Sequence, residues 1–91
     1  MRNRENIIEF LDNNYQFKKS HNGYEYLVYI LNNYNKINNY KITDIYAEVA
    51  KVYNVKSGCI DRNLRTLFKN LNSTNKEVVS QIIYNFSKEE K

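Results

Sequence analysis

The sequence contains no proline and no tryptophan, two glycines, one cysteine and one histidine. Without proline nothing sterically obliges a helix to stop, so boundaries are read from caps and from the period of the apolar residues. A single thiol, Cys59, excludes an intrachain disulfide framework, and with the one histidine, His21, it falls short of a Cys/His zinc set. No apolar run approaches the roughly 20 residues that span a bilayer, and Met1-Arg2-Asn3-Arg4 does not lead into the continuous apolar stretch of a secretory signal. Also missing are a phosphate-cradling glycine loop, a nucleophile with a base at usable spacing and a tuned carboxylate pair. These absences lead to an expectation of a cytoplasmic chain with no membrane role, no metal, no cofactor and no catalysis.

What is present is the composition of a folded protein: 42% hydrophobic and 26% charged residues in 91. At this length two cores would each bury too little apolar surface, so residues 1–91 are read as one domain. Lysine and arginine number 14 against 10 acids, a formal +4 that favours polyanionic partners without requiring one.

Ile7, Ile8, Leu11 and Tyr15 recur at helical spacing, giving a first helix over about 5–15 that Asn13-Asn14 closes. A polar, basic loop with Lys18, Lys19 and His21 follows, and Gly23 opens a second helix to about Asn35. Tyr24, Leu27, Val28, Leu31 and Tyr34 form its apolar stripe, broadened by Tyr26, Tyr29 and Ile30, which suggests a central position. Lys36 to Lys41 reads as a loop. Thr43 is read as the N-cap of a third helix that carries Ile45, Tyr46, Val49, Ala50 and Tyr53 and ends at Asn54. Ile60, Leu64, Leu67, Phe68 and Leu71 mark a fourth, over about 57–71. Thr74 and Glu77 form a capping box for the last helix, with Val78, Val79, Ile82, Ile83 and Phe86 on its face and a fraying Ser-Lys-Glu-Glu-Lys tail. The expected fold class is all-α, a small bundle of about five helices.

The third and fourth helices are joined by so few residues that they must cross steeply, as in a helix-turn-helix, here from Lys41 to Lys69. Ala50 is small at the crossing, Asn54 tolerates a left-handed turn, and Val55 and Ile60 are expected to pin the second helix. On a wheel of 100° per residue, Gly58, Arg62, Arg65, Thr66 and Lys69 lie opposite the apolar set, with Asp61 on the flank. A charged outer face is common on any soluble helix. On the second helix of a helix-turn-helix, however, an arginine strip suits the major groove, where arginine donates a bidentate pair to guanine O6/N7 and lysine meets phosphate. Lys41, Thr43, Lys56 and Ser57 sit at helix amino ends, where backbone N–H groups also attract anions. The candidate DNA-binding residues are thus Lys41, Thr43, Lys56, Ser57, Gly58, Asp61, Arg62, Arg65, Thr66 and Lys69, with Arg62 expected at a base and Arg65 and Lys69 nearer phosphates.

Gly23-Tyr24-Glu25-Tyr26-Leu27, the run Ile45 to Asn54 with Ala50-Lys51-Val52-Tyr53-Asn54, and Asp61-Arg62-Asn63-Leu64-Arg65 stand in the order and spacing of a known family. The chain resembles the C-terminal effector domain of stage 0 sporulation protein A, the transcription factor of endospore formation. Ser73 to Val78 also looks like the start of that family's final helix. The resemblance implies an all-helical domain that places the fourth helix in the major groove and binds DNA as tandem copies. Three departures stand out. Gly58 and Cys59 replace the family's Ser and Arg at the base-reading end, the stretch from Phe68 to Ser73 is shortened, which implies a missing helix, and, with only about 20 residues ahead of the match, no receiver domain is expected.

Other residues have plainer readings. Cys59, near Lys56 and Arg62, is a candidate thiol sensor or an inert thiol. His21 reads as a surface residue, and Asp44 with Glu48 as a solvated helix edge lacking a third metal ligand. Most of the nine tyrosines are assigned to packing with hydroxyls at the rim. The expected function is double-stranded DNA binding by a transcriptional regulator. The alternative is a protein-binding adaptor or inhibitor, such as a mobile-element protein that reuses the fold. A homodimer or tandem binding is left open, to be supported by an exposed Val79 or Phe86 patch.

Overall fold

A computed structural model of the chain describes residues 4–90, and every element in them is helical. Along the chain these are α1 (Arg4–Asn14), α2 (Asn22–Asn32), a short α3 (Tyr34–Ile37), α4 (Ile42–Tyr53), α5 (Ser57–Leu67), a 3-10 turn (Lys69–Leu71) and α6 (Asn75–Glu89). Residues 1–3 and Lys91, on which the leader reading and the end of the expected frayed tail fall, lie outside the described residues.

The broad apolar face of α2 does put it at the centre, packed against α1, α4 and α5. Leu27, Ile30 and Leu31 are fully buried there, together with Ile7 of α1, Val49 of α4 and Ile60 and Leu64 of α5. Each such aliphatic side chain contributes about 1.5–3 kcal/mol of transfer free energy. The one cluster they form therefore sets the relative positions of the helices.

Boundaries depart from the sequence reading where side chains compete with the backbone. α2 stops at Asn32, because Asn33 donates from its side chain to the Tyr29 carbonyl at 2.9 Å and so diverts the ladder. The expected loop then makes a further helical turn, α3, which returns Ile37 to full burial. α4 begins two residues earlier than expected. Lys41 holds the N-cap position in extended backbone without a side-chain cap, and Thr43 is an exposed residue of the first turn. α5 ends at Leu67 rather than Leu71, since buried Phe68 caps it and the chain tightens into the 3-10 turn. Leu71 is consequently exposed. Asn72, left-handed at φ 57°, ends that turn, and the Thr74–Glu77 capping box starts α6 as expected. α6 stays helical to Glu89, held by buried Phe86 and by the Ser87 hydroxyl donating to the Tyr84 carbonyl at 2.8 Å.

Some core assignments also change. Tyr53 rests edge-on against Tyr26 and Tyr29, with ring centroids 5.2 and 6.0 Å away, but remains 37% exposed on the rim. Val55 is equally exposed, and it pins the turn through its backbone N–H to the Ala50 carbonyl at 3.0 Å, not through apolar contact. Tyr24 breaks the rule of hydroxyls at the rim. Its hydroxyl is buried with no hydrogen-bond partner among the described residues, and burial raises its pKa above the ordinary 10.0. His21 does more than sit on the surface: its Nδ1 accepts from the Gly23 N–H at 3.0 Å and caps α2.

Glu48 fastens three helices, accepting from Lys36 of α3 at 3.0 Å and from the Tyr29 hydroxyl of α2 at 3.1 Å. The Lys36 bond first and the Tyr29 bond second hold its carboxyl below the ordinary 4.5. A depressed folded-state value means that the unfolded chain takes up the proton more readily. The stabilisation is present above pH 4.5 and is lost as pH falls through the lower folded value. The melting-temperature gap between wild type and Glu48→Gln is therefore expected to be larger at about pH 7 than at about pH 3. A gap independent of pH would show that the pair does not stabilise the fold.

Candidate nucleic-acid interface

The connection between α4 and α5 is residues 54–56. Asn54 takes the left-handed conformation at φ 56°, ψ 47°, which Asn accommodates better than other side chains bearing a Cβ. Ala50, buried on α4, allows the helices to cross closely, while Ile60 and Leu64 turn the apolar side of α5 into the core. The opposite side then has only solvent to face. Ser57, Gly58, Arg62, Arg65 and Thr66 are all exposed there, and Asp61 is half-buried on the flank; Lys69, expected on the same helix, is exposed just beyond it in the 3-10 turn, because α5 ends at Leu67. Lys41, Thr43 and Lys56 are exposed at the amino ends of α4 and α5. Neither of those ends has a side-chain cap, and a lysine holds the N-cap position of each, so no side chain takes up their first N–H groups.

Hydrogen bonding sorts this strip. Arg65 is drawn to Asp61, its NH2 2.6 Å from Oδ2, in an i,i+4 pair exposed enough to be worth only about 0.3–0.5 kcal/mol. Asp61 is further held by Asn75, the buried first residue of α6. The Asn75 amide lies 3.0 Å from the Tyr46 hydroxyl, 3.0 Å from the Asp61 carbonyl and 3.3 Å from Asp61 Oδ1. Burial, the largest influence, pushes the Tyr46 hydroxyl up to about 12, so it stays neutral as the acceptor of that bond. Asp61 thus ties α5 to α6 and orients Arg65. Thr66 donates back to the Arg62 carbonyl at 3.1 Å. Arg62, by contrast, has no carboxylate partner among the described residues, nor do Lys41, Lys56 and Lys69. Elsewhere Arg4, Lys19 and Lys36 are paired, with Glu25, Asp12 and Glu48, while Lys18, Lys51, Lys76 and Lys88 have no carboxylate partner among the described residues. Free positive charge is left along the outward side of the helix-turn-helix.

A family model for the C-terminal domain of the sporulation initiation factor Spo0A matches residues 7–91. The chain belongs to that family. It is the DNA-binding domain of a transcription factor, which places this chain among DNA-binding regulators. No curated protein and no solved structure matches the chain. Of Gly58 and Cys59 at the amino end of α5, only Gly58 faces outward, and a Cβ built on it meets nothing within 4 Å. Cys59 is half-buried against α2, its Sγ 3.9 Å from the Tyr26 hydroxyl and 3.3 Å from the Asn63 amide. That placement turns the thiol away from the exposed side of α5. Among the described residues no three His, Cys, Asp or Glu are grouped to hold a metal, and no helix is long and apolar enough to cross a membrane.

Two positions support the site in ways the sequence did not show. A Cβ on Gly23 would stand 2.6 Å from the Asn63 carbonyl oxygen, so this glycine sets how closely α2 approaches α5. Asn75 was legible only as the residue after a cap. Its burial against Asp61 and Tyr46 depends on the docking of α6, which no local pattern reveals.

Proposed function

We propose that the chain is a sequence-preferring regulator of transcription that lays α5 in the major groove of double-stranded DNA. The observation that supports this best is Arg62, exposed at the middle of the outward strip and free of any internal carboxylate, flanked by unpaired Lys56 and Lys69. A free guanidinium keeps both arms of its fork for guanine O6/N7. Lys41, Lys56 and the open amino ends of α4 and α5 suit one phosphate strand, and Gly58 lets the backbone of α5 come close to the base pairs.

Selection from a random DNA pool at moderate salt is expected to enrich one motif. Two spaced half-sites in it would support tandem copies, in which case the contact between copies lies away from Val79 and Phe86, since both are buried. An unenriched pool, with no retardation of duplex DNA at low salt, would overturn the proposal in favour of a protein-binding adaptor.

A further inference from the structure

The loop between α1 and α2 lies beside the carboxyl end of α5, and between them runs a groove of about 720 Å³ lined by Lys18, His21, Thr66 and Lys69 among others. Aromatic packing builds this juxtaposition. Phe17 stacks on Tyr15 with centroids 5.3 Å apart and packs on buried Phe68 at 5.5 Å. Lys18 and Lys69 are the next residues after those two rings, so the contact that orders the loop also sets the lysines on the groove. The acid in the lining, Asp12, is already neutralised by Lys19 at 2.8 Å. Lys18 and Lys69 have no carboxylate partner among the described residues. His21 accepts through Nδ1, which leaves its Nε2 as the N–H donor of the neutral ring.

Helix dimensions explain what a cationic groove would do there. α5 has eleven residues and is about 16 Å long at 1.5 Å per residue, against a major groove about 12 Å wide. A helix that enters by its amino end carries its carboxyl end out to the opposite sugar-phosphate wall. We infer that Lys18 and Lys69 form a second phosphate clamp, gripping the strand opposite to that met by Lys41 and Lys56. The loop before α2 thereby becomes part of the DNA surface. This rests on the DNA-binding reading and extends its footprint beyond the helix-turn-helix.

The test is a salt titration of binding to a labelled mixed-sequence duplex of about 30 base pairs, so that no operator need be known. Lys18→Gln is expected to lower the slope of log affinity against log salt by about 0.9, and the double change with Lys69→Gln by about 1.8. Lys18→Arg should restore the wild-type slope. Lys88→Gln, on the α6 lysine that sits over Tyr84 outside the groove, should leave it unchanged. Binding by wild type with an unaltered Lys18→Gln slope would end the clamp alone. A wild-type chain that fails to bind the duplex at low salt would end both the clamp and the DNA reading.

Discussion

Arg62→Ala is expected to weaken binding to the selected motif by about 1–3 kcal/mol, or roughly 5- to 150-fold, and to flatten preference at one base pair. The same variant should lose far less on mixed-sequence DNA, because a base contact is absent there. Lys69→Ala, in contrast, should weaken every sequence alike and lower the salt slope by about one. The distinction follows from the free fork of Arg62, which has no internal carboxylate to compete for it. Equal losses on every sequence for both variants, measured by titration on the motif and on a scrambled duplex, would remove Arg62 from base reading.

Gly23→Ala should be strongly destabilising, although helix propensity alone predicts a gain of about 0.5–1 kcal/mol from replacing a helical glycine. The added methyl would lie 2.6 Å from the Asn63 carbonyl oxygen and 3.0 Å from its carbon, and these are backbone atoms of α5 that no rotamer change can move. The Asn63 side chain is itself tied to the Cys59 carbonyl at 2.7 Å, stiffening the obstacle. Separating α2 from α5 disturbs the centre of the core, so a cost of about 2–3 kcal/mol is expected, at the upper part of the range for overpacking. For a chain of this size that is a fall of about 10–20 °C in melting temperature. An unchanged or raised melting temperature would show that the helices part without penalty. Since the same movement tilts α5, DNA affinity should fall along with stability.

Much of the fold was legible because it is written in short-range terms. The Thr74–Glu77 box, the left-handed Asn54 and the 3.6-residue period of α2 and α5 each involve residues within one or two turns of each other. The errors lie where a distant partner intervened. Thr43 resembles a cap, yet α4 starts from Lys41, where half-buried Ile42 can reach the core. Lys36 to Lys41 reads as a loop, yet Ile37 finds a buried place and closes a helical turn. Leu71 continues the stripe of α5, but Phe68 has already capped the helix and Leu71 is left in solvent.

The candidate site divides in the same way. Which residues lie on the outward side of α5 was determined by sequence alone, since a helical period and a buried stripe of Ile60 and Leu64 leave one opposite arc. Which of its charges are free was decided only by the tertiary structure. Asp61 engages Arg65 and Asn75 while Arg62 stays unpaired, and Lys18 joins Lys69 through the packing of Phe17 on Phe68. The reason is physical: periodicity follows from bonds between near neighbours, whereas the availability of a charge depends on every group that folding brings within a few ångströms of it.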